Sequence, residues 1–228
     1  RVTVPLVYTI YDRLIYAPKG TVPKSTRQEL ASGLYEQDEV QILPYILSPE
    51  LPLVELGAGI GVVSCVANRL LKDPAAHLAV EMHPDALGVL EVNRAMNRAR
   101  FELAEYALGY DDQPGPAAAA AGWDPGVRRE PGRPARRGSL AGLLGDRGWD
   151  TFNLVMDIEG MELALLEHEH ALVSERVVSV SVELHPHVLG VDGAARVVAL
   201  LSAAGLALVA VGEGSVLGFR RDGDVAQR

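Results

Sequence analysis

Two hydrophobic periods alternate along this chain. Residues 2–17 carry β-branched and aromatic residues (Val2, Val4, Val7, Tyr8, Ile10, Tyr11, Ile15, Tyr16) and predict short strands forming a hairpin, limited by Pro5 and by the Pro18-Lys19-Gly20 turn. Ser25 followed by Gln28 is a helix-start signal, Gly33-Leu34-Tyr35-Glu36 breaks that helix, and residues 37–47 return to a helical period with Val40, Ile42, Leu43 and Ile46 apolar. From Leu51 the pattern settles into short apolar runs, each followed by a longer amphipathic stretch. The runs are Leu51–Leu56, Leu78–Glu81, Phe101–Ala107, Thr151–Asp157 and Val177–Leu184. Helices are predicted over Ile60–Leu71, from His83-Pro84-Asp85 through Asn93 and Asn97 in polar surroundings, over Ser139–Leu144, Gly160–Val173, and Asp192–Ala204 with Gly205 ending it. Leu206–Val211 and Ser215–Arg220 are separated only by Gly212-Glu213-Gly214, which predicts a closing antiparallel hairpin. Apolar runs without alternation belong to strands buried on both faces. The expected class is therefore α/β, a mostly parallel seven-stranded sheet with helices on both faces and a C-terminal hairpin.

One stretch breaks the pattern. Residues 111 to about 138 collect alanine, proline, glycine and five arginines (Arg128, Arg129, Arg133, Arg136, Arg137), and read as a flexible, solvated insertion. The chain divides into residues 1–50, an N-terminal extension on the cap or substrate side, and 51–228, the main domain that carries the insertion. Composition adds bounds. The 228 residues are 48% hydrophobic, enough for one domain with a full core. A net charge of -9 argues against broad nucleic-acid or anionic-membrane binding. The single cysteine, Cys65, reads as a small core residue and allows no internal disulfide, which suits a reducing, cytoplasmic setting. No run is long enough to span a membrane. The chain opens on Arg1, not Met, and reads as a fragment or processed form, which leaves organellar targeting open.

Chemistry is expected where the strands end, because α/β sheets bind ligands beyond the carboxyl ends of their strands. After the first run comes Glu55-Leu56-Gly57-Ala58-Gly59-Ile60-Gly61. Its glycines permit a sharp turn and close backbone approach to a ligand, at the amide-rich start of a helix. No Gly-Lys-Ser/Thr is present, and the G-x-G-x-G spacing differs from the dinucleotide G-x-G-x-x-G. The E/D-x-G-x-G-x-G form resembles motif I of class I S-adenosylmethionine-dependent methyltransferases. Glu81, 20 residues after Gly61, ends the second strand where a ribose diol wants an acceptor pair. Tyr106 and Ala107, near the end of the third, are candidates for adenine contacts. Strand four ends in Asp157-Ile158-Glu159-Gly160 and strand five in Glu183-Leu184-His185-Pro186-His187, so three carboxylates and two histidines converge on one edge. Acids at the end of an apolar strand are costly unless paired or used. Two uses fit: a general base for a hydroxyl, or a divalent metal such as Mg²⁺ held by carboxylates and a histidine. Helix capping is the plain alternative for Asp157 and Glu159. His168 and His170, at i, i+2, do not share a helix face and read as solvated.

Asp157-Ile158-Glu159-Gly160-Met161-Glu162 after an apolar strand resembles the D-[IV]-E-G-x-E hallmark of FkbM-type methyltransferases. The glycine turn, Glu81-Met82-His83-Pro84, Asn93 with Asn97, Tyr106-Ala107-Leu108-Gly109 and Val182-Glu183-Leu184-His185 stand in that family's order, over roughly residues 33–210. Met82-His83 stands between Glu81 and Pro84 where the family has Glu-Pro, and Val155 stands where it commonly has lysine. The resemblance implies a Rossmann-like class I methyltransferase fold and O-methylation of a hydroxyl on a sugar, glycolipid or natural product. Its partner would be a small-molecule or glycan acceptor and not a nucleic acid. By the same resemblance, S-adenosylmethionine would be held by Glu55, Gly57, Ala58, Gly59, Gly61, Glu81, Met82, Tyr106, Ala107 and Asp157. Tyr35 and Glu36 would close over it, and Asp157, Glu159, Glu183 and His185 would face the acceptor. The alternatives are a methyltransferase acting on RNA or protein, and a cofactor-binding fold without catalysis. No Asn/Asp-Pro-Pro-Tyr follows strand four, where N-methylating enzymes usually place it.

Overall fold

The structure is a computed structural model that describes residues 6–110 and 136–221. The chain starts with a hairpin of β1 (Val7–Ile10) and β2 (Arg13–Tyr16). Its turn residues Tyr11 and Asp12 have φ of 50 and 56°, the paired positive angles that match a two-residue turn to the twist of its strands. Helix α1 (Lys24–Ser32) follows Pro23 and stops at Gly33, whose φ of 76° is left-handed. Ser25, expected to cap it, lies inside the helix, and no side chain caps its start. Tyr35 and Glu36 lead into α2 (Gln37–Ile46).

The main sheet is wound by β3 (Leu53–Leu56), α3 (Val62–Leu70), β4 (His77–Glu81), α4 (Pro84–Met96) and β5 (Glu102–Leu108), then β6 (Arg136–Gly138), α5 (Leu140–Leu144), β7 (Phe152–Met156), α6 (Glu162–His168) and α7 (His170–Arg176). It is completed by β8 (Val177–Glu183), α8 (Pro186–Ala203), β9 (Leu206–Val211) and β10 (Val216–Arg221). Strand order is β6-β5-β4-β3-β7-β8-β10-β9, parallel except for β10, which runs antiparallel between β8 and β9. This is the Rossmann-like methyltransferase fold.

The described sheet has eight strands, not seven. The extra one, β6, is the Arg-Arg-Gly end of the expected loop, held by its pairing with β5 and by the Arg137 guanidinium, which donates to the Tyr110 carbonyl. The arginines at 128, 129 and 133 lie outside the described residues. The single helix expected over 160–173 is two, broken at Glu169, and α8 begins at Pro186 with a break at Gly190.

Strands β3, β7 and most of β8 are buried on both faces, as parallel strands covered by helices must be. Val54, Leu56, Leu154 and Met156 face one buried cluster with α5 to α8. Leu53 and Val155 face the other with α3 and with Val40, Ile42, Leu43 and Ile46 of α2. Helix α2, placed by sequence in the extension, thus shares a core with the sheet. The hairpin is docked through α4. The Asn93 side chain accepts from the Tyr16 amide and donates to the carbonyls of Tyr16 and Ile60. Asn97 accepts from the Leu14 amide and donates to its carbonyl. Asn93 is fully buried, so the polar surroundings expected for it are backbone and not solvent.

Candidate functional site

The chain winds outward from β3 through β4 and β5 to β6 and then crosses back to β7 on the other side of β3, so the strand order reverses there. Ligand crevices form at such switch points. The two strand ends touch: Gly57 has a φ of 87°, and a Cβ on it would lie 1.6 Å from the carbonyl oxygen of Asp157. The amides of Gly57 and Ala58 donate to the carbonyl of Val80. Glu81 braces the turn from β4, accepting from the Gly59 amide at 2.8 Å and the His83 amide at 2.7 Å. Burial raises this carboxyl to about 7, an effect opposed by the amides that point at it.

A cavity of about 850 Å³ opens over these strand ends. One end is lined by Gly57, Gly59, Glu81, Met82, Tyr106 and Ala107, the other by Tyr35, Glu36, Glu39, Asp157, Glu159 and Glu183. Nine carboxylic acids line it in all, and no lysine or arginine among the described residues does. Of the residues that the sequence places at the strand ends, Gly57, Gly59, Glu81, Tyr106, Ala107, Asp157, Glu159 and Glu183 share this space, while Ala58, His185 and His187 are not in its lining.

The acidic end is organised by His185, 4% exposed. Its Nδ1 lies 3.0 Å from Glu162 Oε1, and its Nε2 lies 3.4 Å from Asp157 Oδ1 and 3.5 Å from Glu159 Oε2. Burial pulls the imidazole pKa down, but the carboxylates of Asp157 and Glu162 outweigh it and push it up to about 11. Burial and the Asp157 charge raise Glu159, and burial with the charges of Asp157 and Glu39 lifts Glu183 to about 8. Burial, then neighbouring acids, raise Glu36 and Glu39 as well. Burial and Glu36 push the Tyr35 phenol well up. Asp157, Glu183 and His185 each bring one ligand atom within 4.8 Å of the others. His187 is exposed and meets His185 edge-on, centroids 5.7 Å apart.

Three predicted cofactor residues, Glu55, Ala58 and Gly61, do not line this cavity but line a smaller one of about 20 Å³ that shares Tyr35, Glu36, Glu39, Gly57 and Asp157 with it. Glu55 is buried beneath the turn, its Oε2 2.9 Å from His77 Nε2. Asn68 donates to the Pro74 carbonyl and faces His77 Nδ1 at 3.2 Å, so His77 bridges Asn68 and Glu55 beneath the turn. Ala58 packs with Cys65, Ala79, Leu90 and Phe101, and Gly61 packs against Leu90. Cys65 is buried, as expected. Of the helical histidines, His168 is exposed as expected but stacks on Tyr110 at 4.4 Å, and His170 sits half-buried with Nδ1 3.3 Å from Ser174 Oγ.

The sequence assigns no role to Glu39 or to Glu162. Glu39 is 6% exposed and lines the cavity from α2. Fully buried Glu162 accepts from the amides of Ile158 and Gly160 while holding His185, so it fixes the Asp157–Gly160 turn. Its position as the last acid of the Asp157–Glu162 motif is the available signal. Among the described residues, no helix is long and apolar enough to cross a membrane.

No protein-family model matches the chain, and no curated protein matches it in sequence. Solved structures are similar in fold. The ribosomal protein L11 methylase of Lactobacillus delbrueckii subsp. bulgaricus has 15% identity and a TM-score of 0.48, covering 83% of this chain and 79% of that one. The precorrin-6y C5,15-methyltransferase of Geobacter metallireducens has 14% identity and a TM-score of 0.47, covering 91% and 95%. TYW2 of M. jannaschii, solved in complex with AdoMet, has 13% identity and a TM-score of 0.43, covering 94% and 85%. These are likenesses of fold, and what those proteins bind or modify belongs to them.

Proposed function

We propose that the chain is an S-adenosylmethionine-dependent methyltransferase acting on a hydroxyl of a small-molecule or glycan acceptor. The observation that carries this reading is Glu81. Its buried carboxylate is held by the Gly59 and His83 amides at the rim of a switch-point cavity, and each oxygen keeps a lone pair for a ribose diol. The residues fit the cofactor: Gly57 and Gly59 give a turn without side chains, Glu81 takes the ribose, and Met82, Tyr106 and Ala107 flank a base. Bound there, S-adenosylmethionine supplies a methyl group on a sulfonium. The motif order from Glu55 to His185 supports an FkbM-type enzyme within that class.

The chain's own residues do the rest. The carboxylates at the far end form hydrogen bonds with a polyhydroxylated acceptor and turn one hydroxyl toward the methyl group. Such positioning can supply about 7–11 kcal/mol of the barrier. Glu183, near 8, is matched to accept the hydroxyl proton around neutral pH. The cavity volume lies in the upper range for small-molecule sites and leaves room for cofactor and acceptor together. The absence of lysine and arginine from its described lining disfavours a phosphodiester chain and so an RNA substrate.

Calorimetry with S-adenosylhomocysteine tests the reading. Micromolar binding that weakens tenfold or more in Glu81→Ala is expected, and no binding by the wild-type chain would end it. Once an acceptor is found, Asp157→Asn should abolish turnover while S-adenosylhomocysteine still binds. Turnover at the wild-type rate would remove Asp157 from the chemistry.

A further inference from the structure

We infer that Asp157, Glu183 and His185 form a binding site for one divalent first-row metal ion at the acidic end of the cavity. The three ligand atoms lie within 4.8 Å of one another, contributed by the ends of two adjacent strands. His185 Nε2 and Asp157 Oδ1 are 3.4 Å apart. Two ligands on a tetrahedral ion with bonds of about 2.1 Å stand about 3.4 Å from each other.

Two further observations separate this site from an ordinary group of acids. Asp157 Oδ1 is buried and forms no hydrogen bond, its one described contact being the ion pair with the imidazole at 3.4 Å. His185 is itself 4% exposed, and its other nitrogen is fixed by Glu162, which is fully buried and further held by the amides of Ile158 and Gly160. A carboxylate behind the imidazole is the arrangement that orients a metal-binding histidine and raises its basicity. Glu162 would thus be the positioning residue, and Glu159, 3.5 Å from the same Nε2, a fourth ligand within reach.

Charge points the same way. Asp157, Glu159 and Glu162 all stand within 3.5 Å of the buried His185 imidazole, and Glu183 ends the adjacent strand beside them. A nitrogen ligand among oxygens favours manganese or zinc over magnesium, which prefers oxygen ligands alone. The inference rests on ligand geometry and does not require methyl transfer; with the ion bound, Glu183 serves as a ligand and not as the proton acceptor.

The test is calorimetric titration of the metal-stripped full chain with Zn²⁺, Mn²⁺ and Mg²⁺ separately, with S-adenosylhomocysteine binding measured on the same preparation in EDTA. One Zn²⁺ or Mn²⁺ per chain, bound at least tenfold more tightly than Mg²⁺, is expected. Asp157→Asn should remove binding, and Glu162→Gln should weaken it tenfold to a hundredfold with the circular dichroism spectrum unchanged. Glu162→Gln keeps the side-chain size, and if it fails to fold, Asp157→Asn decides alone. No binding at millimolar ion, or binding that neither variant alters, overturns the inference. Metal binding without S-adenosylhomocysteine binding would sink the methyltransferase reading and leave this site standing, and the converse result would do the reverse.

Discussion

An alanine at position 57 would set its Cβ 1.6 Å from the Asp157 carbonyl oxygen, at a φ of +87°. Neither the backbone angle nor the neighbour can yield cheaply, because that neighbour is main chain at the end of a fully buried strand. Gly57→Ala should cost about 3 kcal/mol or more and abolish S-adenosylhomocysteine binding. Gly59 differs. Its φ is +51°, but nothing lies within 4 Å of the place a methyl group would take, and that place faces the cavity. Gly59→Ala should therefore cost only about 1 kcal/mol of stability, the left-handed penalty, while still weakening the ligand. Denaturant midpoints and calorimetry on both variants check this, and equal stability losses would contradict it. Glu81→Gln removes the charge and one of the two braces at the same turn. An amide nitrogen cannot accept a hydrogen bond, so the side chain no longer serves both Gly59 and His83. Cofactor affinity should fall tenfold or more while stability changes by about 1 kcal/mol.

The hairpin and α4 are joined by two asparagine side chains that stand in for a neighbouring strand. Asn93→Asp keeps the acceptor for the Tyr16 amide but turns an oxygen toward the carbonyls of Tyr16 and Ile60. A loss of about 2–3 kcal/mol is expected, with faster hydrogen exchange at the Tyr16 amide. Ile60 belongs to the glycine turn, so the same change should also loosen cofactor binding. Asn97→Ala, at the half-buried end of the joint, should cost about 1 kcal/mol. Slow exchange at Tyr16 in both variants would show that the hairpin is held by its apolar face alone.

These asparagines also mark what is legible in the sequence. Apolar period and glycine position locate the strands of the main sheet, the switch-point turn and the acids at the strand ends, because those features are written locally. Asn93 is legible as polar but not as buried, since its partners lie 33 and 77 residues away. Strand β6 is Arg-Arg-Gly, which has no strand preference, and only β5 beside it makes it a strand. Glu55 precedes the glycine turn by two positions, so it shares a face with Gly57 but lies one pleat lower, against His77. A strand covered on both faces has no solvent side to reveal this. Glu169 is hidden in Glu-His-Glu-His, yet it is buried and accepts from the Tyr110 hydroxyl and the amides of Leu140 and Ala141, bracing the start of α5 from far along the chain.

For the molecule as a whole, the acids around the cavity tie stability to pH with one sign. Glu36, Glu39, Glu81 and Glu159 all have carboxyl groups raised by burial. A group whose folded value is raised binds its proton more tightly folded than unfolded, so its contribution is complete below the unfolded value and is lost as pH rises through the folded one. For Glu81, raised from 4.5 to about 7, the loss begins near the ordinary glutamate value and is complete above the folded one. Between roughly pH 5.5 and 8 that single group removes about 2 kcal/mol. The net charge of -9 adds general repulsion in the same direction as the remaining acids ionise. In EDTA, the melting temperature should therefore fall by about 4–8 °C from pH 5.5 to 8. Paired carboxylates do the opposite, since their lowered values make a fold more stable as pH rises, so the direction is diagnostic. In Glu81→Gln the slope should flatten by the share this carboxyl contributes. A melting temperature that rises over the same interval would mean that the carboxylates at the cavity are paired with cations in solution, and that the fold does not carry the cost of burying them unpaired.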